Sequence, residues 1–173
     1  MAFNVVTISG SLRKRSFNTA LVRSLPALAP ADLHLAEAPP YDRMPLYNAD
    51  IQSVGFPADV IIFADAIRNA DGVIIVSPEY NWTFPGGLKN ALDWCRGWKI
   101  SRSGDKPVAI QSATVGPLGG ARMQHHLRMA LTSLARSRPP ISPPPASQAG
   151  LIKSRPTIDV TRVSKREVQF RAE

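Results

Sequence analysis

The run GVIIVS, Gly72–Ser77, is the strongest constraint in the chain. Its β-branched apolar residues follow one another without polar alternation. A strand with one wet face alternates, so a continuous apolar run needs cover on both faces. That is the situation of an interior strand in a parallel sheet with helices on either side.

The remaining segments supply the other layers. Phe3–Ser9 (FNVVTIS) is a second β-branched run, ending at Gly10. Leu33–Leu35 is a weaker strand, and Pro107–Thr114 (PVAIQSAT) another. Residues 17–28 place Leu21, Val22, Leu25 and Leu28 at helical spacing, with Pro26 ending or kinking the helix. Residues 57–70 suit a helix with Pro57 near its first turn. Residues 86–98 put Leu88, Ala91, Leu92 and Cys95 on one side. A last helix, at about 121–134, presents Met123, Leu127, Ala130, Leu131 and Leu134. Residues 36–56 hold Pro39, Pro40, Pro45 and Gly55 and read as a long surface loop. Strand–helix alternation of this kind predicts an α/β fold with ligands at the carboxyl ends of the strands. Three loops leave such ends with unusual chemistry: 9–18, 77–85 and 112–120.

The periodic pattern stops at Leu134. Residues 136–145, RSRPPISPPP, hold five prolines in ten positions, and proline lacks the donor a sheet ladder needs. Residues 151–173 are basic without a helical stripe; TIDVTRV is at best a short strand. The expectation is a domain over 1–134 followed by an atypical Pro-rich basic tail, 135–173, disordered or loosely packed. We attribute the break to a reading-frame change or a divergent terminus. The tail also explains the net charge of +8: residues 1–134 carry 13 Lys and Arg against 10 Asp and Glu, the rest 8 against 3. With no aromatic-rich basic stripe and no zinc spacing, nucleic acid is not an expected partner. No apolar run is long enough to span a membrane, and MAFNVVTISGS lacks the features of a signal peptide. The single cysteine, Cys95, excludes an internal disulfide, which agrees with a cytoplasmic setting.

The first loop reads SGSLRKRSFN, residues 9–18. Gly10 permits a tight turn, Ser11, Ser16 and Asn18 supply hydrogen-bonding side chains, and Arg13 adds a charge. A helix follows, so its free amides and positive dipole end face the loop. A phosphate cradle and an ordinary capped turn both fit; Lys14 and Arg15 also fit a solvated charge run. Neither the Walker A ending nor the G-x-G-x-x-G fingerprint is present. The second loop carries Pro78, Glu79, Tyr80 and Asn81. An acid, a phenol and an amide suit either catalysis or a pocket wall. No carboxylate or histidine visibly pairs with Glu79, which favours the wall.

Taken together, SGSLRKRSFN (9–18), VSPEYNWTFPGGLKNALDW (76–94) and QSATVGPLGGARMQHHLR (111–128) resemble the NADPH-dependent FMN reductase family, which includes quinone, chromate and azo-dye reductases. The resemblance spans residues 3–134. It implies a flavodoxin-like doubly wound sheet of order 2-1-3-4, with the usual fifth strand missing or altered here. It implies FMN surrounded at its phosphate and ribityl chain by Ser11, Arg13, Ser16, Phe17 and Asn18. Pro78, Glu79, Tyr80 and Asn81 would line the isoalloxazine edge, completed by Ser112 and Gly116. It further implies a homodimer or homotetramer that passes hydride from NADPH or NADH, through FMN, to small-molecule acceptors: quinones, chromate, azo compounds or free flavin. The chemistry then belongs to the flavin, with no catalytic side chain and no metal. A flavin-binding electron carrier without NAD(P)H activity, or a non-catalytic degenerate homologue, are the alternatives.

Other reactive residues have plainer readings. His125 and His126 are adjacent on a helix and point about 100° apart, a poor metal pair. Cys95, Trp94 and Trp98 read as core or interface packing, Met123 as packing, and Asp71 and Asp93 as charges near helix ends.

Overall fold

The computed structural model describes residues 2–97 and 106–135. The expectations for the 135–173 tail, for a fifth strand and for Trp98 fall beyond the described residues, except for Ala135 itself. Four strands form one parallel sheet: β1 Phe3–Ser9, β2 Leu33–Glu37, β3 Gly72–Val76 and β4 Val108–Gln111, in the order β2-β1-β3-β4. The helices are α1 Phe17–Ser24, α2 Ala49–Val54, α3 Ala58–Asn69, α4 Gly86–Gly97 and α5 Ala121–Ala135. None of them is long and apolar enough to cross a membrane.

β3 lies between β1 and β4, as its sequence requires. Its register pairs Ile75 with Ile8 of β1 and with Ile110 of β4. Val73 and Ile75 enter the larger core, with Phe63, Leu88, Trp94 and Leu127. Val76 enters the smaller one, against Leu21, Val22 and Ala113. Period-two geometry sends alternate side chains to opposite faces, so an uninterrupted apolar run is what two covered faces demand.

Three segments differ from the sequence expectation. The first helix is α-helical only to Ser24; Leu25–Leu28 form a 3-10 turn with Pro26 near its start. Proline has no N–H to continue the α ladder, and Leu28 is left exposed. The strand expected over 107–114 stops at Gln111, because Ala113 directs its backbone groups to a side chain instead of a neighbouring strand.

The largest difference is residues 36–56. They include the short helix α2, capped by the Asn48 side chain, and they bury Tyr41 and Met44 in the main core. α4 anchors the segment. Trp94 Nε1 and Asn90 Nδ2 both donate to the Pro45 carbonyl, at 2.8 and 2.9 Å. Tyr47 and Phe56 pack edge-on against the Trp94 ring, centroids 5.1 and 6.2 Å away. Trp94 is therefore core, as is Cys95, whose thiol burial pushes up to about 12. Asp93 pairs with Lys89 on the surface, and Asp71 receives the Asn4 amide at 2.8 Å.

Where β1 ends, Gly10 donates to the Val76 carbonyl at 2.7 Å. A Cβ there would stand 2.4 Å from Ser77 Oγ and 3.0 Å from Ser77 Cα. Only hydrogen fits between the two loop roots. Gly10→Ala is expected to destabilise the fold by about 1–3 kcal/mol, the usual cost of overpacking, read as a lower denaturant midpoint with an unchanged slope. Cys95 in the native protein is expected to resist thiol reagents at neutral pH until denaturant is added.

Candidate functional site

The three loops singled out in the sequence meet at the carboxyl edge of the sheet. In the first loop, the Ser16 side chain caps α1, accepting from the amides of Asn18 and Thr19 at 3.2 and 3.5 Å. Ser11 Oγ accepts from the Arg13 amide at 3.3 Å. Both hydroxyls are buried, and each accepts within the loop, which leaves its O–H proton available to donate. The amides of Lys14, Arg15 and Phe17 meet no acceptor among the described residues. Amides of this kind beside a helix N-terminus favour an anion. Arg13 and Phe17 are exposed at the loop's outer side.

Asn18 does something the sequence did not reveal. It is buried, and its Nδ2 donates to the Ala113 carbonyl while its Oδ1 accepts from the Ala113 amide, both at 2.9 Å. The carboxamide thus ties the first loop to the third.

In the second loop, Tyr80 and Thr83 exchange backbone hydrogen bonds of 2.8 and 3.0 Å around Asn81 and Trp82. The φ values of those two are +49° and +71°. Positive φ at both central residues is the geometry of a type I′ turn, where Asn-Gly is preferred. Asn tolerates it; Trp82 does not, at a cost of about 1–3 kcal/mol. Tyr80, Asn81 and Trp82 are exposed, whereas Pro78 and Glu79 are half-buried.

Glu79 also proves to have partners. Its Oε2 accepts from the Met123 amide at 3.2 Å, and its Oε1 lies 3.4 Å from Arg122 Nη1. The carboxylate therefore sits on the N-terminal turn of α5. The charge-assisted bond to an amide contributes roughly 1.5–3 kcal/mol, against roughly 0–1 for a half-exposed ion pair, so the helix end holds Glu79 and Arg122 steadies it. The Arg122 guanidinium in turn stacks over Trp82, 4.3 Å from its centroid. Below the loop, Tyr41 donates its hydroxyl to the Ser9 carbonyl at 2.8 Å. Burial, with the neighbouring Tyr80 and Asp42, raises the Tyr41 phenol well above its ordinary range.

In the third loop Ser112 is buried and Gly116 exposed. The Gly116 amide donates to Thr114 Oγ1 at 3.1 Å. Gly120, with φ +75°, leaves no room for a Cβ, which would stand 2.4 Å from Ser112 Oγ. Among the described residues, Ser112 Oγ and Gln111 Oε1 are buried without a hydrogen-bond partner. Buried polar atoms are normally satisfied, so this pair at the end of β4 fits a polar ligand edge.

The NADPH-dependent FMN reductase family matches residues 3–142. The chain belongs to that family. It is 51% identical over 131 residues to the quinone reductase of Escherichia coli (strain K12), covering 75% of this chain and 70% of that one. It is 45% identical over 129 residues to the 2-hydroxy-1,4-benzoquinone reductase of a Burkholderia species, covering 74% and 69%. Among solved structures, the flavoenzyme NAD(P)H:(acceptor) oxidoreductase FerB from Paracoccus denitrificans superposes with a TM-score of 0.69 at 32% identity, covering 77% of this chain and 72% of that one.

Members of the FMN reductase family are oxidoreductases with FMN as cofactor and NAD(P)H as electron donor. The residues present fit such a flavin: amides and hydroxyl protons stand ready at the first loop, and unpartnered polar atoms at the third. Asn18→Leu strands the Ala113 N–H and C=O. It is expected to cost about 2–4 kcal/mol in chemical denaturation, and to weaken retention of added FMN as the two loops part.

Proposed function

We propose that this chain is an FMN-dependent NAD(P)H oxidoreductase that reduces quinones and, more broadly, chromate, azo compounds or free flavin by a ping-pong mechanism. The observation that carries the reading is the set of loops tied at one edge around the buried, unpartnered Ser112 Oγ. When bound, FMN supplies the redox chemistry, accepting hydride from the nicotinamide and yielding it to the acceptor.

The chain's own residues bind and orient. Ser11, Ser16 and the amides at the start of α1 take the phosphate, and Arg13 adds positive charge from the rim. Asn18 holds the loop in place, and Phe17 adds apolar surface beside it. The backbone of Pro78, Glu79, Tyr80 and Asn81 lines the polar edge of the ring, and Ser112 and Gly116 complete that side from the third loop. Glu79 is committed to the Met123 amide and to Arg122, which supports a wall residue over a proton donor. Exposed Tyr80 and Trp82 give flat apolar surface to a planar visitor, which donor and acceptor would use in turn in a ping-pong order. The resemblance to the family supports a homodimer or homotetramer in the cytoplasm.

Purified protein is expected to show the visible absorbance of oxidised flavin, to bleach with NADPH without oxygen, and to regain colour with a quinone. Double-reciprocal plots at several quinone concentrations are expected to run parallel. Colourless protein that stays inactive with added FMN and NADPH overturns the proposal. Glu79→Gln is expected to keep kcat within about tenfold, because general acids contribute roughly a hundredfold or more. Asn81→Pro, forced away from φ +49°, is expected to weaken FMN binding, seen as flavin lost on gel filtration.

A further inference from the structure

Arg122 is the second residue of α5, at the positive end of the helix dipole. A cation there opposes the dipole, so helix formation gives no reason for it. The first turn of α5 carries no acidic residue of its own. Glu79 supplies the carboxylate instead, from the second loop. Its Oε2 accepts from the Met123 amide at 3.2 Å, and its Oε1 lies 3.4 Å from Arg122 Nη1. One negative charge thus meets a guanidinium and a helix end together.

We propose that Arg122 is a positioning residue for the redox step. By answering Glu79 it keeps the pocket wall free of an uncompensated negative charge, and so raises the reduction potential of the bound flavin. This role rests on the FMN reading above and deepens it. Reduction adds negative charge to the ring system, and an unanswered carboxylate nearby opposes that.

The geometry favours a charge effect. The Glu79 side chain is 18% exposed against 41% for Arg122, so water screens the carboxylate less than its partner. The ion pairs Arg68–Asp65 and Lys89–Asp93 each join neighbours on one helix. Arg122 and Glu79 are 43 residues apart and join the second loop to α5. The same guanidinium lies over the Trp82 ring, 4.3 Å from its centroid. Glu79 and Trp82 belong to one loop, so the two contacts together fix where the positive charge stands against it. They also give the strained, exposed Trp82 a purpose: its ring is a face for a planar cation.

Dye-equilibrated titration of the flavin-loaded full chain, without oxygen, reads the midpoint potential. Arg122→Gln is expected to lower it and Glu79→Gln to raise it. Each shift is expected to be about tenfold in the reduction equilibrium, the scale of one charge acting over about 10 Å at an effective dielectric of about 20. For a two-electron couple that is about 30 mV. The double variant Glu79→Gln/Arg122→Gln carries neither charge and is expected to return to within about threefold of the unsubstituted protein. Arg122→Lys keeps the charge without the planar stack, and is expected to stay within about threefold as well. For any variant that loses flavin on purification, the ratio of dissociation constants for oxidised and reduced FMN reports the same shift.

A loosened loop moves both single variants in the same direction, so opposite signs decide. Shifts of the same sign, no shift in either variant, or Arg122→Lys falling as far as Arg122→Gln each overturn this role; if such protein still reduces quinone, the proposed function stands. If FMN is bound but NADPH does not bleach it, the hydride-donor reading falls and the titration still decides the role of Arg122. Protein that takes up no FMN overturns both.

Discussion

The Asn18 carboxamide, bonded to both backbone groups of Ala113, is the contact on which the site depends. A buried amide without partners costs several kcal/mol; one with both ends satisfied fixes a geometry. Here it decides where β4 stops, because Ala113 cannot serve a strand neighbour and Asn18 together. It also fixes the start of α1 against the third loop, although the two residues are 95 apart in sequence. Gly10 does the equivalent between the first and second loops by excluding a Cβ, and Glu79 between the second loop and α5. Three loops that would each be mobile alone become one rim.

The sheet was legible because its strands carry their environment in their own residues. β3 has two covered faces and reads as unbroken apolar sequence; α4 has one and reads as a stripe through Leu88, Ala91, Leu92 and Cys95. The 36–56 segment has neither period. Tyr41 and Met44 are buried there by contacts with distant elements, and Pro45 matters for a carbonyl, which every residue possesses. Local composition holds no sign of either.

The site was legible by loop more than by role. Short polar residues before a helix offer several uses, and sequence could not separate a phosphate ligand from a staple at Asn18. The partners of Glu79 escaped notice because one is a backbone amide and the other lies 43 residues away. Trp82 gave only a faint signal, because its strain comes from its place in a turn closed by Tyr80 and Thr83. A tryptophan following asparagine, where glycine would suit the turn, was the only available hint.

Burial within the rim divides its work. Ser11, Ser16, Asn18, Ser77 and Ser112 are buried at the roots of the loops, while Arg13, Phe17, Tyr80, Trp82 and Val115 stand exposed at their tips. Fixed polar groups discriminate strongly, since a ligand that fails to satisfy them leaves them unpaired. Exposed apolar surface discriminates weakly, because flat oxidants of different outline bury similar areas on it. A site built this way is strict about the group it keeps and permissive about the one that visits, which is the physical basis for the acceptor breadth proposed here.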